Sequence, residues 1–159
     1  MADDGTRVAY QIGGYGEGPD DSGDVFLKEP ATGARVQLDT GLGTAELVRL
    51  TGDGRRVLFN AGGGLYVHTV RTGATARVAD GRARSATADG RHVVLSAADG
   101  LRLLDLRTGR GTDVGPADAR AGHGAVTAKG RAVVFSSGAT DLVPGDTNGV
   151  PDVFVQHAR

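Results

Sequence analysis

The sequence predicts an all-β fold: four copies of one four-stranded unit, with the first and last copies incomplete. Three observations predict it. Short apolar runs rich in Val and Leu alternate with turn residues, and Gly, at 27 of 159 residues, supplies the punctuation. No segment of a dozen residues sustains a 3.6-residue apolar period, so helix is expected to be minor. One motif also recurs at intervals of about 40 residues, and a repeat of that length organises a whole chain.

The recurring motif defines the second strand of each unit, strand B. It reads "DDGTRVAYQI" (3–12), "GDGRRVLFNA" (52–61), "ADGRHVVLSA" (88–97) and "AKGRAVVFSS" (128–137). Each copy has a Gly turn (Gly5, Gly54, Gly90, Gly130) and then three apolar positions. Strand C follows as "DVFLKEPATG" (24–33), "GLYVHTVRTG" (64–73), "GLRLLDLRTG" (100–109) and "DVFVQHAR" (152–159). Thr-Gly turns at 32–33, 72–73 and 108–109 lead to strand D, marked by Leu38, Val78 and Val114. Strand A precedes each Gly turn: "AELVRLT" (45–51), "RARSATA" (82–88) and "HGAVTAK" (123–129), with Thr51, Thr87 and Thr127 in matching places. The units span about 1–38, 39–78, 79–114 and 115–159 of a single domain covering 1–159. They carry strands BCD, ABCD, ABCD and ABC, fourteen in all.

An isolated four-stranded unit cannot cover both of its faces. Stacking such units around an axis buries the faces between neighbours, which is the logic of a β-propeller blade. A sandwich would not repeat its turn chemistry at this period, and a β-solenoid coil is usually shorter. The expected core is Val8, Tyr10, Val57, Phe59, Val93, Leu95, Val133 and Phe135 on the B strands. Val25, Phe26, Leu65, Val67, Leu101, Leu103, Val153 and Phe154 join them from the C strands.

The segments "DGRRVLFNA", "LYVHTVRTG" and "VVFSSGATDLVPGDTNGVPDVFV" resemble the bacterial WD40-like repeats of the PD40 or TolB type. The Trp-Asp and Gly-His signatures of eukaryotic WD40 repeats are absent. The resemblance implies about four propeller blades, either part of a larger ring, a ring closed by association, or a short four-bladed ring. It implies no single activity, since such blades serve as binding platforms, hydrolase accessories and periplasmic scaffolds. It also allows an extracytoplasmic parent.

Composition narrows the partners. With 18 basic and 19 acidic side chains, the chain lacks the basic excess of a nucleic-acid surface. There is no Cys, hence no disulfide or thiolate site. No apolar run approaches a membrane span. The opening "MADDGTRVAY" lacks the basic and apolar regions of a signal peptide.

Two B–C connections are long, 13–24 and 138–152, while their counterparts are only "GGG" (62–64) and "ADG" (98–100). In a propeller such loops share one face. The expected binding-face residues are Tyr15, Asp20, Asp21, Asp24, Asp141 and Asp146. Within "GDTNGVPDVFV" (145–155), Asp146, Asn148 and Asp152 alternate oxygen ligands in a pattern that could take Ca²⁺, which wants six to eight oxygens. The alternative is a plain turn, with Asx hydrogen bonds, a left-handed Gly149 and Pro151 fixing the approach to the next strand. The EF-hand pattern is absent, and no cofactor is otherwise implied.

Enzyme signals are lacking. There is no G-x-S-x-G elbow and no H-E-x-x-H. His68, His92, His123 and His157 read as exposed or half-buried strand residues, and Ser136 and Ser137 as repeat residues. The expectation is a non-catalytic binding or scaffold module, with no catalytic residues, that meets a protein partner or itself. The alternatives are an accessory propeller of a hydrolase or peptidase, or a small glycan-binding or glycan-cleaving propeller.

Overall fold

The computed structural model describes residues 1–13 and 23–158, and its regular structure there is entirely β. The first sheet holds β1 (Val8–Ile12), β2 (Asp24–Lys28) and β3 (Arg35–Gln37). The second holds β4 (Ala45–Leu50), β5 (Arg56–Ala61), β6 (Gly64–Thr69) and β7 (Ala74–Asp80). The third holds β8 (Arg82–Ala86), β9 (His92–Ala97), β10 (Gly100–Asp105) and β11 (Gly111–Gly115). The fourth pairs β12 (Ala132–Ser137) with β13 (Asp152–His157) alone. Spatial order follows chain order in every sheet, the up-and-down meander of a propeller blade.

Thirteen strands form among the described residues, not fourteen. The missing one is strand A of the fourth repeat. That segment touches β12 only through isolated bridges, Arg120 to Ser136 and Val126 to Val133. Between them the chain turns aside, with Gly124 at φ 78° and the Ala125 N–H bonded to the Gly122 carbonyl. The Gly-His-Gly run breaks the ladder.

The repeated Thr closes each A–B turn by a pair of hydrogen bonds to the residue five places on. Thr51 Oγ1 accepts from Arg56 N–H at 3.0 Å, Thr87 Oγ1 from His92 N–H at 3.0 Å, and Thr127 Oγ1 from Ala132 N–H at 3.0 Å. In each case the Thr N–H also donates to that residue's carbonyl. The turn between them needs a left-handed residue, and Gly54, Gly90 and Gly130 supply φ of 65°, 65° and 64°. The Thr-Gly turns repeat as faithfully: Gly33, Gly73 and Gly109 each donate to the carbonyl four residues back.

The chain forms two compact units, Met1–Ala83 with Ala88–Gly90, and Arg84–Thr87 with Arg91–Arg159. In the first, Val25 and Leu27 pack with Ala45, Leu50, Val57 and Phe59. The amide of Gln11, near the end of β1, accepts from the Leu47 N–H on β4 at 3.0 Å. Asn60, at the equivalent place on β5, grips Ala83 twice, accepting from its N–H at 2.8 Å and donating to its carbonyl at 3.0 Å. In the second unit, Val94, Leu101, Leu103 and Val114 pack with Val126, Val133 and Phe135. One cross-strand ring pair recurs in three repeats, Tyr10–Phe26, Phe59–Tyr66 and Phe135–Phe154, with centroids 5.5 to 5.7 Å apart. Each pair adds about 0.5–1.5 kcal/mol beyond its buried area.

Of the core expected on the B strands, Val57, Phe59, Val93, Leu95, Val133 and Phe135 are buried, but on β5 and β9 burial goes beyond one face. Val57, Leu58 and Phe59 are all wholly buried, as are Val93 and Val94, because β5 and β9 are covered on both faces. Val8, Tyr10, Val67 and Phe154 are half-buried. Val153, expected in the core, is 74% exposed, because its face of the two-stranded fourth sheet is left uncovered.

Candidate functional site

The long connection 138–151 is anchored at its root by an acid that the repeat does not contain. Ser137, the buried last residue of β12, donates its hydroxyl to Asp118 at 2.8 Å. The Gly138 N–H donates to the same carboxylate at 2.7 Å. These bonds, the Ser137 hydroxyl first, hold the Asp118 pKa below its ordinary value of 3.8. Sequence reasoning missed Asp118, since no other repeat has a counterpart to signal it. Ser137 is thus engaged as a structural donor.

The far end of the loop behaves as an Asx turn. Asn148 Oδ1 accepts from the Val150 N–H at 3.0 Å, and Gly149 takes φ 68°. The Asn148 amide donates to Asp152 Oδ2 at 3.1 Å, so these two of the three candidate ligands meet directly. Asp146 is half-buried and hydrogen-bonded to neither. Among the described residues no three His, Asp or Glu side chains gather as a metal site. Asp141 lies exposed on a turn of the same loop. Asp24 opens β2 opposite Ile12, as Asp152 opens β13 opposite Ser137, and accepts from the Gln37 amide at 3.1 Å. Tyr15, Asp20 and Asp21 lie outside the described residues.

What the sequence reading did not anticipate is the apolar exposure at this place. Leu142 (37%), Val143 (46%) and Val150 (55%) stand out from the loop. On the fourth sheet Val134 lies directly across from Val155, and Ser136 from Val153, so the three valines share one face. They are 39%, 58% and 74% exposed. Among the described residues the outer edge of β13 has no strand beside it, whereas β2, β6 and β10 each pair with a strand D. Val153 follows from the alternation rule only if the sheet has a covered side and an open side.

Of the histidines, His68 is buried rather than half-exposed. Its Nδ1 lies 2.9 Å from Thr75 Oγ1, and burial pushes its pKa below the ordinary 6.5. His92 lies beside a groove of about 350 Å³ lined by Asp105, Thr108, Arg110 and Gly130. Its Nε2 is 4.0 Å from Asp105 Oδ2. The Arg91 guanidinium, bonded to Asp105 at 2.7 Å, holds that carboxyl well below the usual carboxylate range. His123 sits on a turn instead of a strand, and His157 is exposed at the end of β13.

These meanders of antiparallel strands, with their repeated hairpin turns, are β-propeller blades. The chain is similar to TolB from Acinetobacter baumannii at 17% identity, over 96% of this chain and 41% of that one, with a TM-score of 0.59. It is similar to the β-propeller domain of the trilobed protease from Pyrococcus furiosus at 14% identity, over 96% and 52%, with a TM-score of 0.63. It is also similar to an oligogalacturonate lyase in complex with manganese at 16% identity, over 98% and 47%, with a TM-score of 0.64. The chain spans about half, or less, of each of these structures. No family model matches the chain, and no curated protein matches it in sequence. The likeness establishes the fold, β-propeller blades, which the repeat and its resemblance had predicted. No helix among the described residues is long and apolar enough to cross a membrane.

Proposed function

We propose that the chain is a non-catalytic propeller module that binds a protein partner, a second copy of itself included, at its fourth sheet. One observation carries this reading: among the described residues β13 is an unpaired outer strand, and its Val153 and Val155 are 74% and 58% exposed. An open edge offers a row of unpaired N–H and C=O groups to any extended segment, and strand addition uses them. The three valines would give such a segment an apolar surface to cover. Ser137 and His68, two side chains from which catalysis might be built, are instead hydrogen-bonded within the frame.

The test is Val155→Lys, a charge on an edge strand at a position already exposed, which should leave the fold intact. Light scattering across a concentration series should show the parent associating and the variant monomeric. A parent that stays monomeric at high concentration and captures no strand-donating partner refutes the reading. A second reading is favoured by the likeness to the trilobed protease's propeller domain: the chain is an accessory propeller of a peptidase or other hydrolase. A G-x-S-x-G segment in the flanking reading frame would promote it. The likeness to an oligogalacturonate lyase keeps a glycan-directed module as a further form of it, testable on a glycan array.

A further inference from the structure

We infer that the first unit carries an oxyanion-binding cleft at the A–B and C–D turn end of its strands, built for carboxylate ligands. A cleft of about 790 Å³ opens between the A–B and C–D turns. Four of its lining side chains are arginines, Arg7, Arg55, Arg56 and Arg71, against two acids, Glu29 and Asp53. Its volume falls within the range of small-ligand sites, about 300–1,000 Å³.

The repeat shows what is missing there. Arg56 lies across from Thr69 and His92 across from Asp105, and one step beyond the Val8–Lys28 pair Arg7 meets Glu29. Those cross-strand places are equivalent. In the first repeat the acid there, Glu29, binds Arg7 at 3.2 Å. In the third, Asp105 binds Arg91 at 2.7 Å. In the second repeat the place is taken by Thr69, a hydroxyl, while the basic side chains remain. The two acids in the cleft are already engaged. Glu29 is held by Arg7, and Asp53 accepts from Thr51 Oγ1 at 2.6 Å and from the Arg55 N–H at 3.0 Å. Arg71 is exposed and has no ion-pair partner among the described residues. Arg56 donates to a backbone acceptor, the Asp89 carbonyl, at 2.6 Å; the acid near it is Asp53, which also lies 3.9 Å from Arg55 Nε.

A ligand carboxylate entering beside Thr69 therefore takes the place that an internal acid fills in the flanking repeats. Guanidiniums suit it, since each offers a planar fork of donors that matches two carboxylate oxygens. Thr69 adds a hydroxyl donor at the floor. A small polycarboxylate and an acidic peptide both supply such carboxylates, and the chemistry recognised is the same.

The test is calorimetric titration with citrate and, in parallel, with a hexaglutamate peptide, at ionic strength held constant with NaCl. Two variants are compared with the parent. Arg55→Gln with Arg71→Gln removes two exposed charges and should leave the melting temperature unchanged. Thr69→Glu installs the acid of the other repeats and should hold or raise it. The parent should bind at least one probe saturably, and both variants should bind it at least tenfold more weakly. Citrate alone binding assigns the cleft to small oxyanions; hexaglutamate displacing citrate assigns it to acidic peptides. Absence of saturable binding of either probe to the parent overturns the inference. So does a Thr69→Glu variant that binds as the parent does.

Discussion

Gly90 and Gly5 occupy the same turn of two repeats, and their substitution by Ala separates two costs that usually arrive together. Both are left-handed, at φ 65° and 69°. For an L-residue that conformation costs about 1–2 kcal/mol. A Cβ at Gly5 would meet nothing within 4 Å. A Cβ at Gly90 would lie 2.7 Å from Thr51 Cγ2 and 3.1 Å from Leu58 Cδ1, and both of those residues are wholly buried. Forcing a methyl group into a packed place adds about 1–3 kcal/mol. Gly5→Ala should therefore cost about 1–2 kcal/mol, and Gly90→Ala about 2–5 kcal/mol. For a chain of this size, at about 2–4 °C per kcal/mol, the melting temperature falls by about 2–8 °C and about 4–20 °C respectively. Urea unfolding of the two variants and the parent, followed by circular dichroism, gives the free energies directly. Equal losses in the two variants would show that the close approach of the turn to Thr51 and Leu58 is not as described.

Four other outcomes are expected. His68 has a folded pKa below 6.5, so the unfolded chain takes up its proton first; the stability present above pH 6.5 should decline as pH falls below it, and His68→Gln should flatten melts between pH 7 and 5. The hydrogen-bonded carboxylates Asp53 and Asp118 add no slope in that window, since their stabilisation is fully present above pH 3.8 and is lost only as pH falls below it. Thr51→Val should lose about 1–3 kcal/mol by leaving the Arg56 N–H short of an acceptor, while Thr51→Ser, which keeps the hydroxyl, should recover most of it in urea melts. Asn148→Ala should speed amide hydrogen exchange at Val150 with little change in melting temperature, because the turn is exposed. Melts in millimolar Ca²⁺ and in EGTA should superimpose; a Ca²⁺-dependent rise that disappears in Asp152→Ala would make the loop a cation site instead.

Much of the frame was legible because it is local and repeated. Thr51, Thr87 and Thr127 each bond a residue five places on, so both partners lie inside one motif and recur with it. The Gly and Thr-Gly turns are legible for the same reason. Burial was less so. Alternation marks one face of a strand, and it could not tell that Leu58 and Val94 are covered on the second face while Val153 is left open. That depends on what packs against each face of a strand, a tertiary fact. Asp118 was invisible for a further reason. It acts on Ser137 across 19 residues and outside the repeat, where neither spacing nor periodicity marks it.

The departures from the repeat are where binding chemistry has room to appear. A repeat position that closes a hairpin is constrained, since altering Thr51 or Gly90 costs stability whatever the protein does. A position at the strand end, such as Glu29 or Thr69, is less constrained, because the Arg7–Glu29 pair lies at a partly exposed surface and an exposed ion pair contributes little, about 0–1 kcal/mol. Replacing the acid by Thr69 therefore costs the fold little, yet it leaves Arg56 and Arg71 without an acid at that cross-strand place. The same reasoning applies to the fourth sheet. Its hairpin core, Phe135 on Phe154, is kept, while the outward valines beside the open edge contribute nothing to the second unit's own core. At both places the frame tolerates a side chain that it does not use. The oxyanion cleft and the strand edge thus rest on separate departures, and loss of citrate binding in Thr69→Glu should leave association through β13 unchanged.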